Sequence, residues 1–392
     1  MTRDPSIAVV GGSAAGLFTA HALASRGRPV TVLEGEPQLA PAPRTLIVTS
    51  RLRDELGALA EGAVVNRIRR FELFTNGRSA TVSLARPDLV IERATLIRTL
   101  AARAEAAGAT LLTGRRFVGF DRRAPRASLI VEDEARRADV VRAATVVGAD
   151  GTFSGVARAG GWPAPVTAPL VQAVVALPPD MRADTTRVWF MPEDTPYFYW
   201  LIPDSPTRGV LGLIGEDGPR TRRCLERFLE RRGVKPLEFQ AARIPVYTRW
   251  VPAHRRVGQC DVYLVGDAAC HVKVTTVGGI VTGFRGAVGV VESIVDGAPS
   301  RRLRALRREL DRHLLIRRAL HHFRQEDYSR LVDFLGPGAQ RVLGTYTRDE
   351  ANTVLLRLLM TEPRMLLLGL RGLLTHASGA LGRSPATRSA PS

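Results

Sequence analysis

The chain has 392 residues, 45% of them apolar, which suffices for roughly two to three domains and excludes bulk disorder or a collagen-like repeat. Its charge is lopsided: 56 basic residues face 38 acidic ones for a net +18, and only Lys235 and Lys273 are lysines. Three cysteines, Cys224, Cys260 and Cys270, are too few and too scattered for a disulfide framework, a zinc site or a four-cysteine iron–sulfur cluster, so no metal is expected.

Thr2-Arg3-Asp4-Pro5 leads straight into a short apolar strand. No signal peptide is therefore expected, and the expected location is a reducing cytoplasm. Ile7-Ala8-Val9-Val10 is β-branched and uncharged, as a buried parallel strand should be. It runs into Gly11-Gly12-Ser13-Ala14-Ala15-Gly16, then a helical segment with Leu17, Ala20, Leu23 and Ala24 on one face, and Gly27 as a stop. Pro29-Val30-Thr31-Val32-Leu33 reads as a second strand ending in Glu34. This is a βαβ unit built to hold a dinucleotide. Gly11 permits the tight turn. Ser13, Ala14 and Ala15 are small enough for backbone N–H groups to approach a pyrophosphate, and Gly16 allows close helix–strand packing. Glu34 can accept hydrogen bonds from a ribose 2′-hydroxyl and would repel a 2′-phosphate, which favours FAD or NAD over NADP.

Next, 71–84 reads as a hairpin turning at Asn76-Gly77. A helix is predicted over 93–107, with Leu96, Leu100 and Ala104 on one face and Gly108 at its end. Thr145-Val146-Val147-Gly148-Ala149-Asp150-Gly151 is another apolar strand ending in a small-residue turn. Segments 171–176, 187–191, 197–202 and 210–214 should join the hairpin in an antiparallel sheet, flanked by a helix over 221–232.

The strand at 261–265 ends in Gly266-Asp267-Ala268-Ala269 and leads to Gly278, Gly279 and Gly283. A strand-end aspartate followed by small residues suits a ribityl hydroxyl, and the glycine-rich helix start behind it suits a flavin. NAD enzymes need no such second contact region.

The order of these motifs resembles the glutathione-reductase-type FAD oxidoreductases with a hydroxylase-like FAD domain. Within them, the stretch from Gly266 to Ile280 looks most like the geranylgeranyl reductase family, whose version reads GDAAGHVKPTTGGGI. Cys270, Val274 and Val277 depart from that pattern. Phe198-Tyr199-Trp200-Leu201-Ile202-Pro203 resembles the YxWxFP segment of the reductases and the WxWxIP segment of flavin halogenases. The resemblance implies an α/β protein: a Rossmann-type FAD-binding domain of three-layer ββα form, an inserted antiparallel substrate sheet and a C-terminal helical region. Residues 1–160, completed by 255–300, would form the first, with 51–90 contributing to the substrate sheet. Residues 161–254 would form the second, and 301–392 the third, with a disordered tail from about 378. It also implies FAD contacts from Gly11, Ser13, Ala14, Ala15, Gly16, Glu34, Arg44, Arg93, Asp150, Gly266, Asp267, Gly278, Gly279 and Ile280. Phe198, Trp200 and Pro203 would line the substrate pocket.

The implied reaction is reduction of carbon–carbon double bonds in a prenyl lipid or quinone side chain. No second dinucleotide site is visible, so electrons would come from transient NAD(P)H or reduced ferredoxin. An isolated double bond needs a proton as well as a hydride, and Tyr197, Tyr199, Cys270 and His271 are the candidate donors. The alternative is a flavin monooxygenase, a hydroxylase or epoxidase, or a halogenase acting on a hydrophobic metabolite. A halogenase needs a lysine between flavin and substrate, and Lys273 already matches the reductase motif.

Finally, 301–323 is a basic amphipathic helix. Residues 301–330 hold ten arginines against four acids, and Leu303, Leu306, Leu310 and Leu314 form a stripe. Two readings stand: a surface helix with its stripe in the core, or a peripheral contact with the inner face of a membrane. The most apolar stretch, 353–374, is broken by Arg357, Glu362, Pro363, Arg364 and Arg371, too often for a transmembrane helix. The arginine excess is what a GC-rich coding sequence produces. No zinc knuckle, helix-turn-helix or aromatic-studded RNA motif accompanies it, so no nucleic-acid partner is expected.

Overall fold

A computed structural model describes residues 7–39, 44–123 and 126–381, with side chains as far as 373 in the last helix. The uncharged run Ile7–Val10 is buried along its whole length, because strands lie on both sides of it and layers cover both faces. It sits inside a six-stranded sheet of order His254–Val257, Cys260–Leu264, Thr145–Gly148, Ile7–Val10, Val30–Leu33, Thr110–Leu112. All neighbours run parallel except the first pair. Alternation along the strand decides what covers each face. Ile7 and Val9 pack with helices Ala14–Ala24, Arg93–Ala106 and Ile280–Asp296. Ala8 and Val10 pack with Leu129 and Val131 of a three-stranded antiparallel meander, Arg116–Phe120, Ser128–Glu132 and Ala138–Arg142. This is the three-layer ββα arrangement.

The second sheet has eight strands in the order Pro236–Pro245, Thr167–Ala176, Arg208–Ile214, Tyr199–Pro203, Thr185–Trp189, Val64–Thr75, Arg78–Glu92, Thr45–Val48. It departs from the purely antiparallel sheet expected. Thr185–Trp189 runs parallel to Val64–Thr75, with Thr185 opposite Arg70 and Trp189 opposite Phe74. The parallel joint arises because two separate excursions of the chain supply the strands, so no hairpin fixes their relative direction. Both outermost strands also escaped the sequence pattern; Pro236 and Pro245 bound one of them, and prolines are tolerated at a sheet edge. The hairpin turns at Asn76 and Gly77, both at positive φ (40° and 75°), the backbone that an Asn-Gly pair favours.

Helix Gly218–Arg232 starts three residues before the apolar pattern does. Asp217 accepts from the Arg220 N–H, proline stands in the first turn, and Gly233 closes the helix in the left-handed region. It buries Leu225, Phe228 and Leu229 against Tyr199, Leu201, Leu211 and Leu213 on one face of the large sheet. The opposite face carries Trp200, Ile202 and Ile214.

Helix Arg301–His321 turns its leucine stripe inward. Leu306 and Leu310 are fully buried with Tyr247 and Val274, and Leu303 packs beside Gly289. Helices Gln325–Asp333, Pro337–Thr345, Ala351–Thr361 and Arg364–Leu381 follow. The tail expected from about 378 therefore begins inside a helix, and its remainder, 382–392, lies outside the described residues. Among the described residues no helix is long and apolar enough to cross a membrane.

Candidate functional site

The turn after strand Ile7–Val10 is fixed by what its glycines exclude. Gly11 has φ +106°, and a Cβ there would lie 2.5 Å from the Ala149 carbonyl oxygen. A Cβ on Gly16 would lie 2.2 Å from the Gly11 carbonyl oxygen. Ser13 caps helix Ala14–Ala24: its hydroxyl accepts from the Gly16 N–H and donates to the Ala149 carbonyl oxygen at 2.8 Å. Glu34, at the end of the neighbouring strand, accepts from the Gly12 N–H at 2.6 Å and the Glu36 N–H at 2.9 Å. The strand-end acid thus sits directly over the turn.

Gly266 closes against this turn from the far half of the chain. It has φ +62°, and a Cβ on it would lie 2.9 Å from the Ala15 Cβ; one on Gly283 would lie 3.5 Å from Gly266 Cα. Ala14 is buried beneath, at the start of the first helix. Asp267 follows, with Gly279 close enough that an added Cβ would stand 3.2 Å from its Oδ1. Burial holds the Asp267 carboxyl above its usual range, with Arg44, Arg93 and Thr152 offsetting only part of that rise. Arg44 has its own proton affinity lowered, by burial and then by Arg93. Its Nε is buried without a hydrogen-bond partner. Gly279 heads helix Ile280–Asp296 with no side chain to cap the first N–H groups, and no acid lies in the first turn. An unpartnered guanidinium nitrogen, uncapped N–H groups and a turn with no room for Cβ atoms suit a dinucleotide diphosphate, and these residues fit FAD.

Asp150, expected as an FAD contact, has a local structural part as well. Its carboxylate accepts from the Ser154 hydroxyl at 2.5 Å and the Val156 N–H at 3.1 Å, so it holds the start of the short helix Gly155–Ala159.

The loop from Cys270 to Gly279 is the most constrained part of the site. Cys270 (φ 53°) and Val277 (φ 51°) both occupy the left-handed region. These are two of the positions at which the reductase motif has glycine. Each L-residue there costs roughly 1–2 kcal/mol, so the surroundings must hold the loop. Lys273 donates its backbone N–H to the Gly278 carbonyl oxygen, and its ammonium pairs with the fully buried Asp349. Asp349 also accepts from Thr49. Burial alone would raise the Asp349 carboxyl, yet Lys273, Thr49 and Arg348 hold it at about 2. Thr275 bonds His313 at 2.7 Å, and Thr282 donates to the His271 carbonyl oxygen at 2.5 Å. Nothing in the sequence marked Asp349, Thr49 or His313, which carry no motif.

The four expected proton donors separate. Tyr199 is fully buried on the face away from the loop, where it donates to Asp194 at 2.9 Å and stacks on Phe228. Pro203 shares that strand face by alternation, and its carbonyl accepts from Asn66. His271 is fully buried against Trp250 and the backbone at Gly286; burial lowers it to about 4, so it is neutral at pH 7. Burial pushes the Cys270 thiol up to about 11, which keeps its proton in place. Tyr197 stands in the same cluster as Phe198, Trp200, Ile202, Ile214 and Val277. Its ring lies 4.2 Å from the Arg317 guanidinium, and burial raises its hydroxyl. An apolar aromatic wall thus faces the tip of the constrained loop, and Tyr197 brings a hydroxyl to it.

A family model described as FAD binding domain matches residues 4–296. Digeranylgeranylglycerophospholipid reductase 2 of Methanothermobacter thermautotrophicus is 28% identical, over 92% of this chain and 97% of its own. A geranylgeranyl bacteriochlorophyll reductase-like protein of Thermoplasma acidophilum superimposes with a TM-score of 0.77 at 18% identity, covering 95% of this chain and 99% of its own. p-Nitrophenol 4-monooxygenase of Pseudomonas putida superimposes with a TM-score of 0.61 at 18% identity, over 94% and 98% of the two chains. The chain belongs to the FAD binding domain family and is an FAD-dependent oxidoreductase of geranylgeranyl reductase-like build.

Proposed function

We propose that the protein reduces carbon–carbon double bonds in the prenyl chains of a geranylgeranyl-type lipid, receiving electrons from NAD(P)H or a reduced ferredoxin. The observation that carries this reading is the wall of Tyr197, Phe198, Trp200, Ile202 and Val277, which offers a long hydrocarbon an apolar surface beside the flavin motif. The full-length similarity to a reductase of digeranylgeranyl lipids points the same way.

Reduced FAD supplies a hydride equivalent when bound. The remaining tasks fall to side chains. Gly11 to Gly16, Glu34, Arg44, Arg93, Gly266, Asp267 and the start of helix Ile280–Asp296 hold the dinucleotide. The aromatic wall orients the alkene and excludes water. Tyr197 keeps a proton on its hydroxyl at neutral pH and delivers it to the alkene carbon opposite the one that accepts hydride. Hydride and proton together add two hydrogens to each double bond. Lys273 takes no part as a halogen carrier, because its ammonium is buried in the pair with Asp349.

The test uses the holoprotein under anaerobic conditions, with chemically reduced flavin and a digeranylgeranyl glycerophospholipid in detergent. Mass spectrometry should show two hydrogens gained per double bond, and the flavin should reoxidise in step. Tyr197→Phe should retain flavin binding and flavin reduction while losing about 10²-fold or more in reoxidation by the alkene. A product carrying an added oxygen, formed only when O₂ is admitted, would make the protein a monooxygenase instead.

A further inference from the structure

The last two helices present an apolar face that none of the described residues covers. On helix Ala351–Thr361, Leu356 and Met360 are 61% and 70% exposed, one turn apart. On helix Arg364–Leu381, Leu366, Leu367 and Leu370 are 46%, 69% and 45% exposed on one side. These five large apolar side chains recur at helical spacing on two successive helices, an exposed apolar face beyond the scattered exposure usual on a soluble surface. Arginines rim it. Arg357 lies against Tyr346, Arg364 pairs with Glu362, and Arg371 pairs with Asp327, with Arg364 and Arg371 still more than half exposed.

The same helices are tied to the aromatic wall. Leu368 points inward onto Phe323 and Tyr328. From there ring contacts run without a gap: Tyr328 stacks on Phe190 at 4.7 Å, Phe190 meets Phe198 at 6.2 Å, and Phe198 meets Trp200 at 6.2 Å. Helix Arg364–Leu381 crosses helix Arg301–His321 closely: a Cβ on Gly372 would stand 2.5 Å from the Ala319 carbonyl oxygen. Helix Arg364–Leu381 thus exposes Leu366, Leu367 and Leu370 on one side and, through Leu368 on the other, touches the far end of this aromatic seam.

We infer that this face seats the protein on an anionic lipid bilayer, with Leu356, Met360, Leu366, Leu367 and Leu370 in the acyl boundary and Arg357, Arg364 and Arg371 among the headgroups. Amphipathic helices with an apolar stripe and a basic rim bind membranes in this way. The charge argues against a second copy as the occupant. A twofold contact through this face would set each arginine rim against its own image. The contact also moves from where the sequence put it, since the leucine stripe of helix Arg301–His321 is packed against Tyr247 and Val274. The inference rests on the prenyl-lipid reading only for its purpose: a bilayer-seated enzyme takes its lipid at the foot of the aromatic seam.

Co-sedimentation of the holoprotein with phosphatidylcholine/phosphatidylglycerol vesicles tests it. The protein should pellet with these vesicles, pellet less at high salt, and remain in solution with pure phosphatidylcholine. The double variant Met360→Glu, Leu367→Glu should bind about tenfold more weakly or worse. It should keep its flavin absorbance and its turnover of a detergent-dispersed prenyl alcohol, since both positions are exposed and lie outside the flavin site. A wild-type protein that stays in solution with anionic vesicles, or a double variant that binds as well as wild type, would overturn the inference. So would a dimer in sedimentation velocity that the double variant converts to monomer. Vesicle binding requires no turnover, so its outcome is read separately from the reductase assay.

Discussion

The turn at Gly11–Gly16 and the loop at Cys270–Gly279 are brought near each other by the contact of Ala15 with Gly266, which stands just ahead of that loop. In the first, glycine stands at the position of positive φ, and the spaces where Cβ atoms would go are filled by the backbone of Ala149 and Gly11. In the second, cysteine and valine take the left-handed backbone, and the loop is held from outside by Asp349, His313 and Thr282, which meet Lys273, Thr275 and the His271 carbonyl. One turn is relaxed and intolerant of added atoms. The other is strained and dependent on its partners. A turn packed this closely against neighbouring backbone leaves no room for side chains, whereas a loop that packs against an aromatic wall can carry them if the surrounding structure fixes it.

Breaking the external support should have the largest effect. Lys273→Met leaves the buried Asp349 charged without its ammonium partner, and urea unfolding at pH 7 should show a loss of about 3–5 kcal/mol. Replacing Asp349 as well should recover part of that loss; if the single variant costs under about 1 kcal/mol, the pair does not hold the loop.

Acid should act on the same loop. His271 is neutral in the fold because burial alone lowers it from 6.5 to about 4. Its contribution is complete above pH 6.5 and is lost as pH falls toward 4, because the unfolded chain takes up the proton first. That amounts to about 3 kcal/mol, and His313, lowered to about 3 by burial and then by Lys273, adds to the same slope. Unfolding free energies measured from pH 7 to pH 4 should fall accordingly, and His271→Gln should flatten the curve.

The relaxed turn is probed by Gly16→Ala. The added methyl meets the Gly11 carbonyl oxygen, and a loss of about 1–3 kcal/mol is expected, with weaker FAD retention on gel filtration. Unchanged flavin content would show that the turn yields more easily than its geometry implies. The smallest change runs the other way. Val277→Gly relieves a β-branched residue at φ 51° and should stabilise the fold by about 1 kcal/mol or less once the flexibility of glycine is counted, read as a higher thermal midpoint. A lower midpoint would mean that the contact of Val277 with the aromatic wall outweighs its strain.

Much of the dinucleotide half was legible in the residues. Its strands are short uncharged runs, its turns carry small residues at fixed spacing, and the acid at Glu34 ends the second strand. The helices over 93–107 and 301–323 emerged within two residues of their patterns, as Arg93–Ala106 and Arg301–His321. The aromatic segment 197–203 was readable as a strand, but its working face was not. Alternation says that Tyr199 and Trp200 point oppositely; only the docking of helix Gly218–Arg232 says which of them is turned from the flavin loop.

What the sequence by itself determined are properties set within a few residues: the period of a strand, the cap of a helix, the glycine a turn demands. Tertiary structure alone decided the parallel joint in the large sheet, the inward turn of the leucine stripe and the exposed face near the end of the chain. It also brought Asp349 to Lys273 across 76 residues and to Thr49 across 300. The physical reason is that a buried charge is stabilised by whatever the whole fold brings to it, and side-chain order along the chain carries no record of that neighbour.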